Sequence, residues 1–163
     1  GLITGEPGVG KTAALRSITS TLNPHRYLVL YQAETDFGRV DIYRGLARAL
    51  GVEPSYRRAQ LWRDIKQRVH ELVDTRQVTP LWIIDEAQNL TAHQMKTLIT
   101  RSGPGSKVVC LGNIAQIDTP YLTETTSGLT YVVDRFKHWE HSGHVTLQRG
   151  ERSRLADFAS EIL

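Results

Sequence analysis

An octapeptide near the start of the chain combines glycines, a lysine and a hydroxyl side chain at a spacing that suits phosphate binding. It has the pattern GxxxxGK[ST] and reads Gly5-Glu6-Pro7-Gly8-Val9-Gly10-Lys11-Thr12. Glycines let the backbone turn tightly, so that its N–H groups form a concave nest at the N-terminus of the following helix. In such a loop the lysine reaches the β- and γ-phosphates and the hydroxyl ligates Mg²⁺. We therefore expect residues 5–12 to bind a nucleoside triphosphate, with Thr12 as a magnesium ligand.

Two acidic residues follow an apolar run in the middle of the chain. Asp85 and Glu86 come directly after Ile83-Ile84. A carboxylate at the end of a buried strand beside a phosphate-binding loop holds magnesium through its water shell, and we assign this role to Asp85. Glu86 projects in another direction and is the candidate that polarises the attacking water. The alternative is a simple pair of charges at a helix N-terminus.

A later apolar run ends in side-chain amides. The segment reads Gly112-Asn113-Ile114-Ala115-Gln116. Because an amide both donates and accepts hydrogen bonds, it can sense the γ-phosphate or orient the water. Asn113 and Gln116 are both candidates, and an ordinary turn after a strand is the alternative.

Three arginines lie near the end of the sequence, at positions 149, 152 and 154. A guanidinium that reaches the developing charge on the γ-phosphate accelerates its transfer. Arg152 is our first choice, acting in the same chain or from a neighbouring subunit of a homo-oligomer. A solvated basic cluster beside a helix explains the arginines equally well.

The remaining metal-binding and nucleophilic residue types are predicted to have structural roles. His138, His141 and His144 are spaced three apart, as metal ligands can be, but no cysteine is near them, which favours a loop with exposed histidines. Cys110 lies inside a predicted strand without an activating base, which favours buried packing.

The apolar pattern predicts alternating strands and helices. The strands are predicted over residues 1–4, 27–33, 81–85, 107–111 and 145–147. The helices are predicted over residues 11–22, 42–50, 61–73 and 129–136, with one from a capping box at Thr91 and a last one from Ser153. This order indicates an α/β, three-layer fold whose central, mostly parallel sheet of about five strands carries helices on both faces. Ligands bind at the carboxyl ends of the strands in such sheets, where all the motifs above fall.

The length and composition of the chain are those of a folded globular protein without a membrane span. The length of 163 residues is typical of one domain, which we assign to residues 1–163. Hydrophobic residues make up 40% of the chain and charged residues 23%, and this composition argues against disorder. The apolar runs are much shorter than the roughly 20 residues of a membrane span, and we expect no membrane span. One cysteine and the absence of a cationic leader favour the cytoplasm. The first strand is short, so we expect the domain to begin upstream. A net charge of +3 is compatible with nucleic-acid binding but does not by itself indicate it.

Two family resemblances meet near Asp85. Residues 1–86 look like the AAA+ ATPases of the ExeA/TniB type, and residues 85–163 resemble the PhoH family. The first resemblance is carried by residues 5–12, by Ile42-Tyr43-Arg44-Gly45-Leu46-Ala47 and by Ile83-Ile84-Asp85-Glu86-Ala87. The second is carried by Asp85-Glu86-Ala87-Gln88-Asn89-Leu90-Thr91, by Gln94-Met95-Lys96-Thr97-Leu98-Ile99-Thr100-Arg101 and by Gly112-Asn113-Ile114-Ala115-Gln116-Ile117-Asp118.

The resemblances imply a P-loop NTPase fold, with ATP and Mg²⁺ as cofactors. PhoH-like proteins are ATPases similar to superfamily 1 helicases and are often linked to RNA. The resemblance implies that Gln116 contacts the γ-phosphate, that Gln88 lies beside the site and that Arg149 or Arg152 belongs to a phosphate-sensing segment. We expect ATP hydrolysis coupled to the remodelling of RNA or single-stranded DNA. The alternatives are a nucleotide-dependent helper switch of the ExeA/TniB type that recruits a partner protein, and a module that binds nucleotide without appreciable turnover.

Overall fold

A computed structural model describes residues 1–6, 8–33, 41–118 and 121–148. Its centre is a parallel sheet with the strand order β2-β3-β4-β1-β5. The strands are β1 (Leu2–Gly5), β2 (Tyr27–Gln32), β3 (Thr79–Ile84), β4 (Lys107–Gly112) and β5 (His144–Leu147). The predicted five-stranded parallel sheet is therefore confirmed.

The helices lie between the strands in sequence, as predicted. They are α1 (Lys11–Ser20), α2 (Asp41–Ala49), α3 (Arg58–His70), α4 (Ala92–Arg101) and α5 (Gly128–Phe136). A 3-10 turn, Ala87–Asn89, follows β3. The helix predicted from Ser153 lies outside the described residues.

Two apolar clusters, one on each face of the sheet, give the fold its three layers. On one face Leu15 of α1 packs with Leu81, Ile83 and Leu111. On the other face Trp82 and Ile84 belong to a larger cluster that includes residues of α2, α3, α4 and α5. Because successive residues of a strand point to opposite faces, β3 supplies both clusters and is buried on both sides. The acidic pair therefore follows an internal strand of the sheet, which lies between β2 and β4.

Local signals set most of the boundaries. The predicted capping box is present, since Thr91 Oγ1 accepts from the Gln94 N–H and the Gln94 side chain accepts from the Thr91 N–H. The helix predicted over 61–73 is α-helical only to His70 and then continues as a π-helical turn, Glu71–Thr75, which carries the buried Leu72. Strand β3 ends one residue earlier than predicted, although the Asp85 N–H still donates to the Gln32 carbonyl at 2.9 Å.

None of the helices in the described part of the chain is long and apolar enough to cross a membrane.

Candidate nucleotide-binding site

The glycine-rich loop connects β1 to α1 at the carboxyl edge of the sheet. Gly8 and Gly10 have φ angles of 74° and 82°, in the left-handed region that glycine adopts without strain. Gly10 is also the N-cap of α1, which begins without a side-chain cap and without an acidic residue in its first turn. The positive end of the helix dipole therefore meets no negative side chain of its own first turn, which suits the binding of an anion. Pro7 lies outside the described residues.

Lys11 lies across the loop that precedes it. Its Nζ donates to the carbonyl oxygens of Gly5 at 2.7 Å and Glu6 at 2.8 Å. Burial lowers the pKa of Lys11, while the nearby charge of Asp85 opposes this shift. The ammonium thus lies between the glycine-rich loop and the end of β3.

One carboxylate oxygen of Asp85 accepts hydrogen bonds from two hydroxyl groups. Its Oδ2 accepts from Thr12 Oγ1 at 3.5 Å and from the phenol of Tyr31 at 2.5 Å. Burial, followed by the hydrogen bond and charge of Asp85, raises the pKa of Tyr31 to about 12, so the phenol stays protonated and donates. The two sequence motifs, which lie far apart in the chain, therefore meet through Thr12 and Asp85.

Tyr31 is the residue that sequence reasoning missed. It belongs to β2, which pairs directly with β3 so that Tyr31 lies opposite Ile83. Tyr31, Ile83 and Asp85 then share one face of the sheet, because side chains alternate along each strand. The signal in the sequence is this alternation, but it becomes readable only once β2 is known to be the neighbour of β3.

Glu86 has a backbone conformation that separates it from Asp85. Its φ and ψ are 52° and 34°, a left-handed conformation that is uncommon for a residue with a side chain. Its N–H donates to Asp85 Oδ1 at 3.0 Å, and its side chain is exposed. The chain turns sharply at Glu86. The exposed side chain of Glu86 therefore points in a different direction from that of Asp85.

The amide segment after β4 contains one buried and one exposed side chain. Asn113 is 7% exposed, and its Oδ1 accepts from the Ala115 N–H at 3.2 Å. Its Nδ2 is buried without a hydrogen-bond partner among the described residues. Gln116 is exposed, and its carbonyl oxygen accepts from Gln88 Nε2 at 3.0 Å. A buried, unpartnered donor is costly, and this makes Asn113 the more unusual of the two candidates.

The remaining predicted residues either lie outside the described part of the chain or have other contacts. Arg149, Arg152 and Arg154 lie outside the described residues. His144 is in β5, where its Nε2 hydrogen-bonds Thr4 Oγ1 at 2.8 Å. Within the described ranges, no group of three or more His, Cys, Asp or Glu side chains is placed to hold a metal ion.

Two protein families match the chain. The AAA domain family matches residues 1–118, and the PhoH-like protein family matches residues 78–161. The two matches overlap over residues 78–118, which include the acidic pair and the amide segment. Both resemblances inferred from the motifs are therefore confirmed, although the AAA match extends past residue 86.

The related sequences are PhoH proteins of bacteria. The chain is 58% identical over 81 residues to Protein PhoH2 of Bacillus subtilis, a stretch that covers 50% of this chain and 18% of that protein. It is 40% identical over 74 residues to Protein PhoH of Escherichia coli, covering 45% of this chain and 20% of that protein. The chain thus spans about a fifth of the length of these relatives.

The similar solved structures support the fold. Cdc6p of Pyrobaculum aerophilum has a TM-score of 0.54 at 18% identity, covering 90% of this chain and 38% of that one. The ORC2 protein of Aeropyrum pernix, solved as ADPNP–ADP complexes, has a TM-score of 0.56 at 16% identity, covering 90% and 41%. The arrangement of strands and helices found here is therefore one that known proteins share.

Proposed function

Because the chain belongs to the AAA domain family and to the PhoH-like protein family, we propose that this P-loop NTPase binds ATP with Mg²⁺ and hydrolyses it at the carboxyl edge of its sheet. The observation that carries the proposal is the hydrogen bond between Thr12 Oγ1 and Asp85 Oδ2, at 3.5 Å. It joins the glycine-rich loop to the acidic pair, so that phosphate-binding and acidic groups share one site. Adenine is the proposed base, because no Asn-Lys-x-Asp stretch that would indicate guanine occurs in the sequence.

The oxygen atoms at this point suit magnesium. Mg²⁺ prefers hard oxygen ligands and usually keeps several waters, with one or two protein groups and the phosphates completing its coordination. Thr12 and Asp85 offer one hydroxyl and one carboxylate within 3.5 Å of each other. They are the residues that would hold the ion, which when bound neutralises charge on the β- and γ-phosphates.

The other candidate residues bind the phosphates, orient the attacking water or stabilise the charge that develops during hydrolysis. The Lys11 ammonium, which donates to two loop carbonyls, exchanges them for phosphate oxygens when ATP binds. The exposed Glu86 carboxylate orients the attacking water and accepts its proton. The amides of Asn113 and Gln116 contact the γ-phosphate or the water. Arg152, or one of its arginine neighbours, supplies positive charge during transfer, in the same chain or across a homo-oligomer.

Phosphate release tests the proposal directly. With ATP and Mg²⁺, we expect steady turnover by the wild-type protein that is abolished in Lys11→Ala. Glu86→Gln should keep ATP affinity but lose about 10²- to 10⁴-fold in kcat, because it removes the group that takes the proton. The control is Glu53→Gln, which changes an exposed glutamate outside the site and should leave kcat unchanged. Equal turnover by wild type and Lys11→Ala would reject the proposal.

We further propose that hydrolysis drives the remodelling of RNA or single-stranded DNA. The PhoH-like match supports this choice of client, and the net charge of +3 is compatible with it. Single-stranded RNA or DNA should then raise kcat for ATP, and the stimulation should weaken as salt is increased. If nucleic acid has no effect while Glu86→Gln, loaded with ATP, binds a protein partner more tightly than the ADP-loaded form, the helper-switch alternative is supported instead.

A further inference from the structure

The carboxamide of Gln88 links the two ends of the amide segment. Gln88 is 4% exposed and belongs to the 3-10 turn that begins directly after Glu86. Its Oε1 accepts from the Asn113 N–H at 3.1 Å, and its Nε2 donates to the Gln116 carbonyl at 3.0 Å. The 113–116 turn is closed by its own hydrogen bond, from the Gln116 N–H to the Asn113 carbonyl at 3.0 Å. One side chain therefore holds the turn at both ends.

The space beside Gln88 is filled so closely that the amide has little freedom. A Cβ atom at Gly112 would lie 2.7 Å from Gln88 Oε1 and 2.5 Å from Leu129 Cδ2, both closer than real Cβ contacts. The end of β4 thus approaches the amide to a distance that only glycine allows. The side chain of Gln88 is fixed by contact as well as by its hydrogen bonds.

The backbone of the same turn is tied to α5. Ser127, the N-cap of α5, is fully buried, and its Oγ donates to the Gln88 carbonyl at 2.8 Å. The neighbouring Asn89 accepts from the Asp118 N–H through its Oδ1 at 3.0 Å. The 3-10 turn therefore joins three parts of the molecule: the acidic pair, residues 113–118 and α5.

We infer that Gln88 is a positioning residue for ATP hydrolysis, which sets Asn113 and Gln116 at a fixed place relative to Glu86. The inference rests on the proposed ATPase function. A primary amide is the side chain that suits this position, because it offers one acceptor and one donor at its end. A carboxylate lacks the donor, and a thioether of the same length lacks an effective donor and acceptor. Since Gln88 is two residues from Glu86, a displacement of the acidic turn carries the 113–116 turn with it.

Gln88→Met tests the inference while nearly preserving the volume of the side chain. We expect faster amide hydrogen exchange over residues 113–118, and a fall in kcat of about 10²-fold, the order expected when a reacting group is displaced by about 1 Å. The dissociation constant for ADP should change less than about threefold, since the turn is assigned to the γ-phosphate. Ile65→Val, a conservative change in the buried face of α3, is the control and should alter neither kcat nor the exchange of residues 113–118.

Gln88→Glu adds a readout that a general loss of packing would not give. A protonated carboxyl group has one acceptor and one O–H donor and can replace the amide, whereas the ionised form has no donor. Burial raises the pKa of such a carboxyl group, so both forms are reached within a workable pH range. The ratio of the kcat of Gln88→Glu to that of the wild type should rise as pH falls, while the same ratio for Gln88→Met stays flat.

The outcomes separate this inference from the function on which it rests. An active wild type whose kcat is kept in Gln88→Met, or a pH-independent ratio for Gln88→Glu, would overturn the positioning role alone. A wild type that releases no phosphate would overturn the proposed function and the role in hydrolysis together. A loss of kcat with faster exchange over 113–118 and unchanged ADP binding supports both.

Discussion

The phenol of Tyr31 donates a hydrogen bond to Asp85 Oδ2, from one parallel strand to the end of the next. The same carboxylate oxygen accepts the weaker hydrogen bond of Thr12 at 3.5 Å. Tyr31 is 43% exposed, so its ring is not a simple core residue. Its hydroxyl instead fixes the orientation of the carboxylate that we assign to magnesium, as the outer partners of metal ligands do in other proteins.

Tyr31→Phe should therefore weaken the use of magnesium more than the binding of nucleotide. We expect the Mg²⁺ concentration for half-maximal ATP turnover to rise about tenfold, the order found when outer partners of metal ligands are removed. Binding of ADP without Mg²⁺, measured by calorimetry, should stay the same. Tyr27→Phe, at the start of the same strand, is the matched control and should match the wild type. An unchanged Mg²⁺ requirement in Tyr31→Phe would show that the phenol does not hold Asp85 in place.

Gly5→Ala should destabilise the fold because the new methyl group has no space. Its Cβ would lie 2.6 Å from the Leu147 carbonyl oxygen and 2.9 Å from Val9 Cγ2. Forcing an extra carbon into a packed site costs about 1–3 kcal/mol, and here the backbone of β5 has to move. Gly143→Ala is the control, because its Cβ would meet no atom within 4 Å. Urea denaturation should give a lower free energy of unfolding for Gly5→Ala only, and equal values for the two variants would contradict the packing argument.

The sequence predicted that the two main motifs of the candidate site meet at one edge of the sheet. Phosphate and magnesium binding impose residue types at fixed spacings, so the loop around Lys11 and the acidic pair at Asp85 could be recognised as candidates, and Thr12 and Asp85 do lie within 3.5 Å of each other. The parallel sheet could be predicted because strands alternate with helices. The AAA and PhoH-like resemblances followed from the same motifs and are borne out by the two family matches.

The contacts that could not be predicted from the sequence depend on which strands pair in the sheet. Tyr31 meets Asp85 only because β2 pairs with β3. The PhoH resemblance implied that Gln88 lies beside the site, but its hydrogen bonds to the 113–116 turn depend on β4 lying on the other side of β3. Such contacts join residues distant in sequence, and no local pattern encodes them. The π-helical turn after His70 was missed for a related reason, since the apolar spacing through Val73 also fits a continuous α-helix.

Cys110 should make the free energy of unfolding depend on pH at values above the ordinary pKa of a thiol. Burial raises the pKa of Cys110 from 9.0 to about 12. Because the folded protein keeps this proton while the unfolded chain releases it, the unfolding free energy should fall as pH rises from 9.0 towards about 12. Cys110→Ala should lack this contribution, so the difference in stability between it and the wild type should shrink as pH rises. A difference that stays constant from pH 8 to pH 10.5 would show that the folded thiol ionises normally.

Asn113 and Gln116 can be separated by comparing ATP with ADP. The buried Nδ2 of Asn113 has no hydrogen-bond partner among the described residues, and we propose that it donates to a γ-phosphate oxygen when ATP binds. A hydrogen bond to a charged group contributes about 1.5–3 kcal/mol, so Asn113→Ala should weaken ATP about 10- to 100-fold relative to ADP.

Asn113→Asp keeps the oxygen that accepts from the Ala115 N–H and replaces only the NH₂ group, now with negative charge. It should keep the local turn but bind ATP more weakly still, because the carboxylate repels the γ-phosphate. Gln116→Ala leaves the carbonyl oxygen that Gln88 uses, so its effect reports on the side chain alone. We expect its preference between ATP and ADP to change less than that of Asn113→Ala. The reverse order, measured by competition binding with both nucleotides, would assign the γ-phosphate contact to Gln116 and leave Asn113 with the turn.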